Sequence, residues 1–94
     1  MNDKELVAYA ALDYVEDNSI VGLGTGSTAD IFIKMLAEKI SNESLNISVV
    51  ASSVISQKKA NDAKLNYISI DQVTSIDLYV DGADEITQDL EILK

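Results

Sequence analysis

The stretch Ile20-Val21-Gly22-Leu23-Gly24-Thr25-Gly26-Ser27-Thr28-Ala29 decides how this chain reads. Its apolar opening, from Ser19 to Leu23, predicts a short buried strand. The glycines predict a tight turn, because glycine tolerates positive φ and close approach to the backbone. A helix should follow as far as Ile40, with Ile31, Phe32, Met35, Leu36 and Ile40 facing inward. Ser27 or Thr28 is expected to cap it. A strand, a glycine turn and a helix N-terminus in that order present backbone N–H groups to an anion.

The rest of the chain repeats the alternation. Residues Asp3 to Glu16 read as a helix with Val7, Ala10, Ala11 and Tyr14 on one buried stripe. Ile47 to Ala51 is a second strand ended by Ser52-Ser53, and Val54 to Leu65 a further helix. Tyr67 to Ile70 suits a short strand, and Ser75 to Val80 a longer one ending at Asp81. No strand alternates cleanly between polar and apolar residues, which predicts strands covered on both faces and hence a parallel sheet. Strands separated by helices give right-handed βαβ units. The expected fold is therefore a Rossmann-like, three-layer α/β/α domain with a mostly parallel sheet, occupying residues 1–94.

Composition narrows the chemistry. The chain has 94 residues, enough for one small domain, and is 47% hydrophobic and 24% charged, as soluble globular domains are. Sixteen acidic residues against seven lysines, with no arginine or histidine, give a formal net charge of −9. That balance argues against a nucleic-acid partner, which needs clustered cations. No apolar run reaches the ~20 residues of a membrane span, and the N-terminus lacks a signal peptide's features. No membrane partner and a cytoplasmic location are expected. Without cysteine or histidine, thiolate chemistry is unavailable and proton transfer falls to carboxylates, lysine or tyrosine.

Gly24 to Ala29 formally fits the dinucleotide pattern G-x-G-x-x-A. That reading wants a carboxylate at the end of the second strand, where this chain has Ala51-Ser52-Ser53. A nucleotide P-loop fails for want of a lysine in the turn. A ligand-free tight turn is the bland alternative. The hydroxyls of Thr25, Ser27 and Thr28 favour a phosphate or polyol ligand instead.

The second motif is Asp81-Gly82-Ala83-Asp84-Glu85, directly after an apolar strand, where open α/β sheets collect functional groups. Crowded carboxylates repel one another, which suits one of them to exchanging protons near neutral pH. An Asx turn is the structural alternative for Asp81. Oxygen ligands could also hold magnesium or calcium, but the spacing is not that of an EF-hand loop, and no metal is expected. Glu85 should point away from Asp84 in an extended segment and support the site from outside.

With both motifs in view, the chain resembles the N-terminal part of A-type ribose-5-phosphate isomerases. The residues that carry the resemblance are Ile20 to Ala29, Ser52-Ser53 with Ser56, Tyr79 to Ile86, and Lys94, which stands where that family has a lysine followed by glycines. The match runs in order along essentially the whole chain. It implies cofactor-free aldose–ketose isomerisation of ribose 5-phosphate to ribulose 5-phosphate in the pentose phosphate pathway. It also implies that Thr25, Gly26, Ser27, Thr28, Asp81, Gly82, Ala83, Asp84 and Lys94 line the substrate site. Asp81, Asp84 and Lys94 would be catalytic: the lysine as the positive charge beside an enediolate, the carboxylates for hydroxyl protons and ring opening. Lys94 as an ordinary exposed lysine is the alternative.

The same resemblance places the family's glycine run, its glutamate base and a C-terminal domain beyond Lys94. The expectation is then a truncated fold, inactive alone, belonging to a homodimer or homotetramer. Asp17-Asn18-Ser19 stands where the family has proline or glycine, and Asn66 is expected to take the positive φ of a glycine missing before the third strand. Two rivals remain: a sugar-phosphate-sensing, non-enzymatic effector domain, and an amino-sugar-phosphate isomerase or acyl-transfer relative. The paired carboxylates weigh against the first, the absence of histidine against the second.

Overall fold

The computed structural model describes residues 2–81 and 86–91. Helix α1 (Asp3–Leu12) opens on a capping box, in which the Asn2 side chain accepts the Glu5 N–H at 2.8 Å while Glu5 accepts the Asn2 N–H. The helix stops at Leu12, short of the expected Glu16. Its buried side is Ala8 and Ala11, continued by Val15, whereas Ala10 is exposed and Tyr14 is 52% exposed. The predicted stripe was thus rotated from the true one. Alanines let α1 lie close on its neighbouring helix, and that packing outweighs the bulkier Leu6 and Tyr9, which are left outside.

Strand β1 (Ile20–Leu23) leads through the glycine turn into α2 (Ser27–Glu43), then β2 (Ser48–Ala51), α3 (Val54–Asp62) and the two-residue β3 (Asn66–Tyr67). A 3-10 turn at Ile70–Gln72 precedes β4 (Ser75–Val80) and β5 (Ile86–Glu91). The sheet order is β3-β2-β1-β4-β5, with β1 central and every pair parallel except β4–β5. The fold is therefore α/β with a mostly parallel sheet, as the uninterrupted apolar strands predict. The antiparallel β5 was not expected from the sequence.

Val21, Leu23, Val49, Leu78 and Val80 face one core with Ala8 and Ala11 of α1, Phe32, Ile33 and Leu36 of α2, and Ala60 of α3. Phe32 and Leu36 are fully buried there, each contributing roughly 1.5–3 kcal/mol. Ile33 joins them, while Ile31, Met35 and Ile40 are only partly buried. The opposite face holds a smaller cluster of Val50, Val73 and Ile76, with Ile20, Ile68 and Tyr79 against it. Among the described residues all three helices contribute to the first core, and the second face is covered by the 68–74 crossover.

Two local features fix how β1 sits. In β4, Ile76 and Tyr79 share one face while Leu78 and Val80 share the other, so the alternation slips at Asp77. There the Asp77 carboxylate accepts the Ile20 N–H at 2.7 Å, supplying the partner that a regular ladder would have given. Asp77→Ala is expected to cost roughly 1 kcal/mol and to speed hydrogen exchange at the Ile20 amide. Unchanged exchange at that amide would show that water replaces the carboxylate freely. Positive φ falls at Lys64 (62°) rather than at the expected Asn66, which begins β3 opposite Ser48.

Candidate functional site at the carboxyl rim of the sheet

The chain leaves β1 toward β2 through α2, and leaves β4 toward β5 on the other side. Adjacent parallel strands whose connections diverge leave a crevice at their carboxyl ends, the usual ligand position in open α/β folds. Here that position falls where Gly24 and Asp81 follow the carboxyl ends of β1 and β4.

Gly24 closes the rim. Its N–H donates to the Val80 carbonyl at 2.8 Å. A Cβ on Gly24 would stand 3.0 Å from the Asp81 Cα, 3.1 Å from the Val80 carbonyl and 3.3 Å from Asp81 Oδ1. The glycine is therefore required for the approach of the neighbouring strand, an origin that composition did not reveal. Gly26, at φ 106°, is the other constrained glycine and is itself the N-cap of α2, with no side-chain cap bond. Ser27 and Thr28, expected as caps, are instead the first two helical residues. Thr25, Gly26 and Ser27 are exposed at the rim, whereas Thr28 is fully buried.

Two outlying elements hold this loop. The serines after β2 tie it from the α3 side: Ser52 N–H donates to the Leu23 carbonyl at 3.1 Å, and the buried Ser56 hydroxyl donates to the Gly24 carbonyl at 2.8 Å. From α1, the Lys4 ammonium donates to the Ser27 hydroxyl. Lys59 of α3 pairs with Asp30 in the first turn of α2. Sequence reasoning missed Lys4, because its position in the first turn of an outer helix carries no local signal. A hollow of about 440 Å³ between α2 and α3, lined by Asp30, Ile33, Lys34, Lys59, Asp62 and Ala63, belongs to the helical face instead.

Of the residues expected to form the site, Thr25, Gly26, Ser27, Thr28 and Asp81 fall at this one rim. Gly82, Ala83, Asp84 and Lys94, and with them Glu85, lie outside the described residues. No group of three or more His, Cys, Asp or Glu side chains that could hold a metal occurs among the described residues. No described helix is long and apolar enough to cross a membrane.

The fold and rim define an open α/β domain with a glycine- and hydroxyl-rich loop at its switch point. Residues 48–94 match the family description of ribose 5-phosphate isomerase A (phosphoriboisomerase A). Ribose-5-phosphate isomerase A of Enterococcus faecalis is 43% identical over 94 residues, all of this chain and 42% of that protein. The Dinoroseobacter shibae enzyme is 42% identical over 91 residues, 97% of this chain and 35% of that one. Among solved structures, ribose 5-phosphate isomerase A of Methanocaldococcus jannaschii superposes with a TM-score of 0.78 at 32% identity, covering 83% of this chain and 34% of that one. A D-ribose-5-phosphate isomerase in complex with phospho-erythronic acid superposes with a TM-score of 0.77 at 39% identity, with the same coverage of both chains. The chain belongs to the ribose 5-phosphate isomerase A family and spans less than half the length of these relatives.

Proposed function

We propose that the rim carrying Thr25–Thr28 and Asp81 is part of a sugar-phosphate site serving interconversion of ribose 5-phosphate and ribulose 5-phosphate. The observation that carries the reading is the contact of Gly24 with Asp81, which sets a carboxylate beside a hydroxyl-rich loop at a helix N-terminus. Support comes from the relative that holds phospho-erythronic acid. That ligand is a four-carbon sugar acid with a phosphate at one end and a planar carboxylate at the other. Its carboxylate has the shape and charge of an enediolate.

Isomerisation removes the proton from C2, spreads negative charge over O1 and O2, and returns a proton to C1. In this reading Asp81 and Asp84 exchange the hydroxyl protons and open the ring, and Lys94 faces the enediolate charge. Gly82 and Ala83 line the pentose. The α2 N-terminus, with Ser27 and Thr28, receives the phosphate, since first-turn N–H groups and the helix dipole favour anions. Lys4 supplies the positive charge: its ammonium rests on a neutral hydroxyl rather than on a carboxylate. The same reading carries the family expectation of a cytoplasmic homodimer or homotetramer.

Calorimetry with phospho-erythronic acid and with unphosphorylated erythronic acid tests the reading. The chain is expected to prefer the phosphorylated ligand, and Lys4→Ala to remove roughly tenfold of that preference, the scale of one charged hydrogen bond. Failure of the chain to bind phospho-erythronic acid, or equal affinity for the two ligands, would overturn it.

A further inference from the structure

The peptide between Gly24 and Thr25 is turned over relative to the strand it follows. In a β-strand a residue's own N–H and C=O point to the same side. Gly24 breaks that rule. Its N–H goes to Val80 on the β4 side, but its C=O goes to Ser56 on the α3 side. No cis peptide bond occurs among the described residues, and a trans peptide sets its C=O and N–H in opposite directions. The Thr25 N–H therefore points away from α3, toward Asp81 and the crevice. No hydrogen bond occupies it among the described residues. Had the strand simply continued, the Gly24 carbonyl would face the crevice, presenting an acceptor to any anionic ligand.

We infer that Ser56 is a positioning residue whose hydroxyl holds this peptide over, so that the Thr25 N–H becomes a ligand-directed donor in the crevice. The inference rests on the sugar-phosphate reading and adds to it a specific backbone contact with a ligand oxygen. Ser56 is well built for the task. It is 2% exposed, and its hydroxyl donates to the Gly24 carbonyl at 2.8 Å while accepting from the Ser53 hydroxyl at 3.1 Å. Its own N–H is bound to the Ser53 side chain, which caps α3. The Ser56 proton thus has one direction available, toward Gly24. A turned peptide held by a buried hydroxyl is preorganised, so it needs no rearrangement when charge arrives.

The test is an amide-resolved titration of the isotopically labelled chain with phospho-erythronic acid. In the unsubstituted chain the Thr25 amide proton should move downfield and gain protection from hydrogen exchange on binding. Ser56→Ala should abolish both changes and weaken binding roughly tenfold. It should leave the Gly24 amide protected, because the bond to Val80 does not involve Ser56. Ser56→Thr, which keeps the hydroxyl, should restore the Thr25 response. A purely structural role for Ser56 would instead lower stability while leaving the Thr25 response intact in the folded fraction, and would overturn the inference. If Ser56→Ala does not fold, the unsubstituted chain still decides: ligand-induced shifts at Ser27 and Ala29 without any at Thr25 would overturn it. That pattern would leave the sugar-phosphate reading standing, whereas absence of any binding would remove both.

Discussion

Asp81→Asn is expected to lower turnover of ribose 5-phosphate by roughly 10²–10⁴-fold while leaving binding of phospho-erythronic acid nearly unchanged. Asparagine keeps the size and most of the hydrogen-bonding capacity of the carboxylate, yet it cannot take and return a proton. The position also matters physically. Asp81 Oδ1 lies 3.3 Å from where a Cβ on Gly24 would be, so the carboxylate leans on the glycine loop. A ligand held by that loop would bring its reacting hydroxyls within a proton transfer of Asp81. The assay uses a chimera that joins residues 1–94 to the remaining length of the Enterococcus faecalis relative, with ribulose 5-phosphate formation as readout. Full turnover in the variant would remove Asp81 from proton handling. Loss of binding in step with turnover would make it a ligand-holding group instead. A chimera that binds but does not turn over without any substitution would favour the effector-sensing alternative.

The parts of this fold legible in the sequence are those decided by local pattern. Strand β4 runs from Ser75 to Val80 as expected, and β1 begins one residue later than expected, because their apolar runs have no competing helical period. The glycine turn was placed correctly, and the two reasons given for it, close backbone approach and positive φ, operate at Gly24 and Gly26 respectively. Gly24 serves the approach of Asp81, a contact between residues far apart in sequence, and Gly26 serves the helix start. Where tertiary pairing decides, the sequence was silent. Strand β3 is only Asn66–Tyr67: its last tie to β2 is the Ile68 N–H, which donates to the Val49 carbonyl at 2.9 Å, and the chain then turns into the 3-10 segment at Ile70. Of the expected α1 stripe Ala11 is buried and Val7 half-buried, while Ala10 and Tyr14 face outward because the helix turns Ala8 and Ala11 together toward the core. Ser56 entered only as part of a family resemblance, and its bond to Gly24 follows from where α3 is anchored rather than from any spacing. Lys4 reaches Ser27 across the two helices for the same kind of reason.

Gly24→Val is expected to be the most damaging single change to the rim. At Gly22 an added Cβ would come within 2.6 Å of Tyr79 Cδ2 and 3.1 Å of Cδ1 of the buried Ile76, so the strain there falls on side chains of β4. At Gly24 the obstructing atoms at 3.0 and 3.1 Å are the Asp81 Cα and the Val80 carbonyl, both backbone and both held in the sheet. A valine there must part β1 from β4 at their carboxyl ends. It would stretch the Gly24 N–H bond to Val80 and lift Asp81 off the loop. Overpacking of this kind costs about 1–3 kcal/mol. For a domain of this size each kcal/mol moves the melting temperature by roughly 4–8 °C. Thermal melting of Gly24→Val should therefore fall by about 4–24 °C. Affinity for phospho-erythronic acid, measured well below the melting transition, should fall together with stability for Gly24→Val but not for Gly22→Ala, because only Gly24 belongs to the loop that leads into Thr25 and the α2 N-terminus. A Gly24→Val chain that melts with the unsubstituted protein would mean that the two strands part at this rim without cost, and the shared crevice would lose its physical basis.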